Sequence, residues 1–251
     1  MSLPYKKVVL DIEGTICPIS FVKEQLYPYF LENISSYLSI YQYPLTDESG
    51  SPEDQQILDV LLKFPEQYRT AEITLLEYIK HLVSSDIKDT TLKTLQGYIW
   101  ERGYNSGEIL APLYEDAIEA MKYWSAFLPN GIFIYSSGSV RAQKLLFSNV
   151  KIVSSSKEVS RADLNGLISG YFDTVNIGNK KETESYKKII QRLEYQDDPS
   201  SILFLSDDPN EVKSAINAGL SSYIVTRPGN SQPSADERAR YNVVSDFQKL
   251  F

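Results

Sequence analysis

The sequence predicts an α/β fold, with a Rossmann-like parallel sheet as core and an α-helical domain inserted after the first strand. Three observations carry this. Four short runs are apolar throughout, as strands buried on both faces must be. Amphipathic stretches separate the later runs, which gives the strand–helix alternation of a parallel sheet. One long segment, 21–107, breaks the alternation and repeats its apolar residues at helical spacing only.

Lys7–Ile12 is the first strand, with Val8-Val9-Leu10 running into Asp11 and a turn at Gly14. The inserted segment follows. Its apolar residues recur as Ile57, Leu58, Leu61 and Leu62, then Leu75, Leu76, Ile79 and Leu82, then Leu92, Leu95 and Ile99. Pro28 should kink or divide the first of its helices. Thr46–Pro52 reads as a surface loop on composition. Past residue 107 the alternation resumes. The strands Gly131–Ser136, Ser201–Ser206 and Ser222–Thr226 are interleaved with helices over Tyr114–Phe127, Val140–Phe147, Glu182–Leu193 and Asn210–Asn217. The expected division is therefore a core of 1–20 and 108–251 with 21–107 inserted.

Composition removes several classes of function. The chain has 251 residues and a net charge of −8, with 42% hydrophobic and 23% charged residues, so it should fold rather than stay disordered. The acidic balance argues against nucleic acid or an anionic membrane as partner. No apolar stretch approaches the roughly 20 residues that span a bilayer. One cysteine, Cys17, fits a reducing compartment and is expected as a small buried filler. With no apolar leader segment, the expectation is a cytoplasmic monomer with access to the nucleus. A single histidine, His81, rules out a Cys/His zinc site and is expected on a helix surface. Neither Gly-x-Gly-x-x-Gly nor a P-loop occurs.

Chemistry then rests on carboxylates, hydroxyls and lysines. In parallel sheets ligands bind beyond the carboxyl ends of the strands. There lie Asp11 and Glu13, then Ser136 and Ser137, then Asp207 and Asp208. In Asp207-Asp208-Pro209-Asn210-Glu211 a helix start accounts for three residues, with Asp208 as N-cap, Pro209 at the first position and Glu211 closing a capping box. Asp207 is left for chemistry. Two converging carboxylates, Asp11 and Asp207, call for a proton or a cation between them, and Mg²⁺ is expected, one per subunit. Ser139 should cap the next helix, leaving Ser136 and Ser137 to donate to a phosphate, with Lys180 in Gly178-Asn179-Lys180-Lys181 as a further ligand. This set suggests Mg²⁺-dependent phosphoryl transfer from a small-molecule phosphate. A receiver-like phosphoacceptor module uses similar parts, but places its acceptor after a later strand and lacks so large an insert.

VVLDIEGT, IYSSGS, the GNK lysine and LFLSDD, in that order, resemble the motifs of the haloacid dehalogenase-like hydrolases, whose cap domain the helical insert resembles. The first motif of that superfamily usually reads Asp-x-Asp; this chain has Asp11-x-Glu13. With Leu95–Trp100, Tyr135–Val140, Ala142–Phe147, Gly170–Asp173 and Arg227–Asn230, the chain resembles the enolase-phosphatase (acireductone synthase) family of methionine salvage. That resemblance implies a 2,3-diketo-5-methylthiopentyl phosphate substrate, enolised and then dephosphorylated. It also implies catalysis by Asp11 and Glu13, phosphate binding by Ser136, Ser137 and Lys180, and Mg²⁺ held by Asp11, the Glu13 carbonyl and Asp207. A phosphatase of another small phosphate ester remains the alternative.

Overall fold

The computed structural model of the chain describes residues 3–51, 54–87 and 89–250. The chain divides into two compact units, Val22–Ile109 and the pair of segments Met1–Phe21 and Leu110–Phe251.

The larger unit is built on a sheet. Its strands are β1 (Lys7–Leu10), β2 (Ile132–Ser136), β5 (Gly170–Asp173), β6 (Ile202–Ser206), β7 (Ser221–Val225) and β8 (Asn242–Val244), all parallel, in the order β5-β2-β1-β6-β7-β8. The hairpin β3 (Val150–Val153) and β4 (Val159–Ala162) forms a separate antiparallel pair. The helices of this unit are α5 (Glu115–Phe127), α6 (Val140–Phe147), α7 (Thr183–Leu193), α8 (Pro209–Ala218) and α9 (Ala235–Arg240). Val9, Tyr135 and Phe204 pack with Tyr186 and Ile189 of α7 and Ala215 of α8. Val8 and Leu10 point the opposite way by strand alternation and are also fully buried, so both faces of the sheet are covered.

The four apolar runs form β1, β2, β6 and β7, as expected from the sequence. β5 and β8 were not foreseen. Both edge the sheet, where one flank needs no burial, so β5 opens on a glycine and β8 has a single buried residue. The hairpin was missed for the same reason: β4 buries none of its residues.

β1 is the pivot. Its partner on one side is β2 and on the other β6, with Leu10 level with both Ile134 and Leu205. At such a reversal of strand order the loops diverge and leave a crevice over the strand ends. Asp11, Ser136 and Asp207 all lie at that end of the sheet.

The smaller unit contains α1 (Tyr27–Leu38), α2 (Gln55–Leu61), α3 (Glu72–Ser84) and α4 (Thr90–Ser106). Phe30, Ile34, Leu58, Leu61, Leu75, Ile79, Leu95 and Ile99 share one core, so the helical spacing read in the sequence marks the buried faces. Pro28 does not break the first helix: a π-helical turn over Val22–Leu26 runs directly into α1, with Leu26 itself in helical conformation, and this widened turn just before Pro28 accommodates a residue that has no N–H to donate. Asp89 caps α4 by accepting from Leu92 N at 2.7 Å, and Gly107 ends it at φ +82°. Thr46–Ser51 is a surface loop as expected, with Thr46, Asp47, Glu48 and Ser51 exposed and one residue turned inward. Ser49 is buried, and its hydroxyl accepts from Thr46 N at 2.7 Å; Pro52 lies outside the described residues. His81 is exposed on α3, as expected.

Phe204 is fully buried under the Tyr186 ring. Phe204→Ala should lower unfolding free energy by about 3–5 kcal/mol in urea denaturation, because it opens a cavity at the middle of the sheet.

Candidate active site

Asp11 is the first residue beyond β1, and its N–H donates to Leu205 O at 3.0 Å, which ties it to the neighbouring β6. Its carboxylate is buried. Lys180 Nζ lies 2.5 Å from Asp11 Oδ1 and 2.7 Å from Glu211 Oε2, and all three side chains are at most 10% exposed. Ser206, at the end of β6, donates to Glu211 Oε2 at 2.7 Å, and the same hydroxyl accepts from Asp208 N at 3.2 Å.

The loop that carries Lys180 is fastened at four consecutive carbonyls. Tyr135 OH donates to Gly178 O at 2.8 Å, and Ser185 Oγ to Asn179 O at 2.7 Å. Tyr186 OH donates to Lys180 O, and Ser214 Oγ to Lys181 O, both at 2.7 Å. These donors come from β2, α7 and α8. The ammonium is thereby placed by the packed core rather than by the loop's own preferences.

Burial alone would lower the pKa of Lys180, but the charges of Asp11 and Glu211 outweigh it and hold the amine protonated. Glu211 moves up, through burial and then the charge of Asp11. Asp207 is pushed up to about 7, first by burial, then by the charges of Asp11 and Glu211. Asp207 accepts no hydrogen bond and makes no ion pair among the described residues. Its Oδ2 rests on Gly14, so closely that a Cβ there would come within 2.4 Å. Gly14 has φ +71°, so both space and backbone require glycine.

The charge balance identifies what suits this place. Asp11, Glu211 and ionised Asp207 carry −3, and Lys180 carries +1, which leaves −2 for a divalent cation. Among the described residues no three His, Cys, Asp or Glu side chains converge on one ion. Two carboxylates with backbone carbonyls and waters fit Mg²⁺, and soft or imidazole-preferring metals would lack their ligands.

The hydroxyl loop sits beside these residues in the strand order. Ser136 is buried at the end of β2, where its Oγ accepts from Gly138 N at 3.2 Å, while Ser137 is exposed. Ser139 caps α6, accepting from Ala142 N at 3.3 Å. Two buried side chains hold this loop. Asp173 Oδ2 accepts from Val140 N at 3.1 Å, and Gln143 Nε2 donates to Gly138 O at 2.7 Å and Phe172 O at 2.9 Å. Glu13 is exposed on the loop after β1, paired by a β-bridge with Cys17. Cys17 is wholly buried, and burial followed by the Glu13 charge raises its thiol pKa, which suits a packing role.

The structure thus brings Asp11 and Lys180 into contact and sets Asp207 within electrostatic reach of both. It corrects one expectation. Asp208 and Pro209 begin α8 as foreseen, with Asp208 Oδ1 accepting from Asn210 N at 2.8 Å. Glu211 closes no capping box: its carboxylate turns inward to Lys180 and Ser206, and the Asp208 N–H is taken by Ser206 instead. A buried ammonium attracts that carboxylate more strongly than a backbone amide does. The available signal was spacing, since Glu211 stands four residues after Asp207 and so on the same side of the chain entering a helix. Asp173, Gln143 and Ser206 were also missed.

A model of the haloacid dehalogenase-like hydrolases matches residues 5–219. The chain is 45% identical over 243 residues to the enolase-phosphatase E1 of Candida tropicalis, covering 97% of each chain. Against that of Debaryomyces hansenii it is 46% identical over 247 residues, 98% of this chain and 96% of the relative. Among solved structures, the UTR4 protein of Saccharomyces cerevisiae superposes at a TM-score of 0.81 with 39% identity, covering 98% of this chain and 99% of that one. The hydrolase YfnB of Bacillus subtilis, 13% identical at a TM-score of 0.56, shares the fold.

Removing the shared cation should expose its structural worth. Lys180→Met leaves two buried carboxylates facing each other and should cost about 3–5 kcal/mol in denaturant unfolding at pH 7.5 without divalent cation. Adding Glu211→Gln to that variant should restore part of the loss, and a purely additive double-mutant cycle would contradict the shared ion pair.

Proposed function

The chain belongs to the enolase-phosphatase E1 family of haloacid dehalogenase-like hydrolases, and on that premise we propose that it converts 2,3-diketo-5-methylthiopentyl 1-phosphate to the acireductone 1,2-dihydroxy-3-keto-5-methylthiopentene in methionine salvage. The observation that carries this reading is the buried Asp11–Lys180–Glu211 cluster at the pivot of the sheet, beside an Asp207 that has no partner among the described residues.

In this reading Asp11 is the nucleophile. Its Oδ1 is held by Lys180, and its second oxygen attacks phosphorus in line, breaking the bond to the leaving oxygen and forming an aspartyl phosphate. Glu13, exposed on the next loop, protonates the leaving oxygen and then deprotonates the water that hydrolyses the acyl phosphate, returning Asp11 and phosphate. Ser136, Ser137 and Lys180 hold the phosphate oxygens. Asp11, the Glu13 carbonyl and Asp207 are the groups to hold Mg²⁺, which when bound screens nucleophile from phosphate and stabilises enolate charge. Enolisation takes a proton from C1, forms the C1–C2 double bond and returns a proton to the C2 oxygen, all before the phosphate leaves. The helical unit Val22–Ile109 corresponds to the cap domain of the family. No helix among the described residues is long and apolar enough to cross a membrane. A cytoplasmic monomer with nuclear access, acting on a small molecule, completes the proposal.

The direct test supplies the diketone phosphate with Mg²⁺ and follows enol absorbance and phosphate release together. Asp11→Asn should release phosphate at less than about 10⁻³ of the parent rate. Substantial turnover by that variant would rule out covalent catalysis by Asp11. With Mg²⁺ occupancy measured on each variant, Asp207→Ala should lose both enolisation and dephosphorylation.

Asp207 also sets a pH dependence. Its pKa of about 7 in the folded chain exceeds the 3.8 of an ordinary aspartate. Without a divalent cation it therefore contributes stability at low pH that is lost as pH rises toward and through 7. Mg²⁺ binds the ionised form and offsets that loss. The Mg²⁺-induced rise in melting temperature should be larger at pH 8 than at pH 5.5, and this difference should shrink in Asp207→Asn. An equal rise at both pH values in the parent would contradict the assignment of Asp207 to the cation.

A further inference from the structure

Arg227-Pro228-Gly229-Asn230 follows β7, outside every role assigned so far. The sequence dictates its shape. Proline favours the second position of a type II turn and glycine the third, where φ must be positive. Gly229 has φ +88°, and Asn230 N donates back to Arg227 O at 3.1 Å. The turn is anchored at its first residue. Arg227 is buried between the rings of Tyr114 and Phe247, with its guanidinium carbon 4.4 and 4.6 Å from their centroids, and it pairs with Asp116 at 2.9 Å.

From that anchor the turn grips the loop after β1 at two successive carbonyls. Arg227 Nε donates to Thr15 O at 3.0 Å, and Asn230 Nδ2 donates to Gly14 O at 2.7 Å. A carbonyl acceptor fixes which end of the amide faces Gly14. Asn230 Oδ1 is buried and accepts no hydrogen bond among the described residues, so the side chain is held to the loop through Nδ2 alone. Gly14 is the residue on which the Asp207 carboxylate rests. A shift of Gly14 must therefore move Asp207, the adjoining Glu13 carbonyl, or both.

We infer that Asn230 is a positioning residue that sets the affinity of this site for its divalent cation, by holding Gly14 against Asp207. The inference rests on the placing of Mg²⁺ between Asp11 and Asp207 in the proposed function. Asn230 touches neither phosphate nor ion in this scheme. Groups that orient metal ligands in this indirect way commonly change metal affinity by about 10–100-fold when removed.

The test is calorimetric titration of Mg²⁺ into parent, Asn230→Ala and Asn165→Ala, with metal-free melting temperatures measured alongside. Asn165 supplies several hydrogen bonds elsewhere in the same unit and makes none to Gly14 or Thr15, so it controls for general loosening. Asn230→Ala should raise the Mg²⁺ dissociation constant about 10-fold or more. Its metal-free melting temperature should fall by no more than about 4 °C. Its kcat should return to within about threefold of the parent at saturating Mg²⁺, with Asn165→Ala unchanged in affinity. Asn230→Ser, too short to reach Gly14 O, carries the same expectation if the alanine variant does not fold. A dissociation constant within about twofold of the parent, or an equal loss in Asn165→Ala, overturns the inference while leaving the metal site standing. A parent that binds no Mg²⁺ overturns the site reading and the inference with it.

Discussion

Asp11 and Asp207 stand at the ends of two adjacent parallel strands, with Glu211 in the first turn of α8 just beyond, and the shared pairing of Asp11 and Glu211 with Lys180 is what lets so many like charges gather there. The strand register fixes how near they come, because Leu10 and Leu205 lie side by side and Asp11 N is bonded to Leu205 O. The sheet supplies the approach, and its repulsion has to be met locally. One lysine meets it only in part, and at Asp207 burial first and then the charges of Asp11 and Glu211 raise the pKa.

The need to keep that lysine in place explains much of the surrounding polarity. A flexible four-carbon side chain loses its entropy only if its backbone is already fixed. Hydroxyls from Tyr135, Ser185, Tyr186 and Ser214 fix it, one to each carbonyl from Gly178 to Lys181. Tyr135 and Tyr186 also belong to the apolar core through their rings. The same two side chains therefore pack the sheet and place the charge. A substitution that removed only their hydroxyls would leave the packing nearly intact and free two loop carbonyls inside the protein, at a cost of about 1–3 kcal/mol each where those carbonyls stay dry.

What the sequence made legible follows from how local each cause is. The central strands were readable because burial on both faces leaves no room for alternation, as Val8-Val9-Leu10 and Ile202–Ser206 show. The edge strands β5 and β8 were not, since their burial is decided by neighbours distant in sequence. In the site, Asp11, Ser136, Lys180 and Asp207 could be singled out as polar residues at strand ends or loop ends with no local task. Glu211 could not, because a sufficient local explanation existed in the capping box. Nothing within five residues announces Lys180, thirty-one positions earlier, as its partner. Asp173 escaped for a similar reason, since it accepts from Val140 N thirty-three positions away, and so did the bond from Gln143 to Phe172 O, although its bond to Gly138 O is local.

Asp207 and Asp208 show how far surroundings divide two identical side chains. Burial alone would raise both. At Asp208 the ammonium of Lys181, 2.8 Å away, and the N–H of Asn210 outweigh it, and the pKa falls below the ordinary value. That carboxylate is committed to starting α8, where the helix dipole also favours its charge. At Asp207 no donor intervenes among the described residues, and the charges of Asp11 and Glu211 push in the same direction as burial and outweigh the opposing charge of Lys180. The peptide unit between them therefore separates a residue whose charge is already satisfied from one whose charge is not. Pairs of titratable groups driven apart in this way mark where chemistry is done, and here the mark falls on the side of the pair that faces Gly14 and the loop after β1. The fold meets its own electrostatic needs at Asp208 and leaves the unmet need one residue earlier, where a dication can supply it.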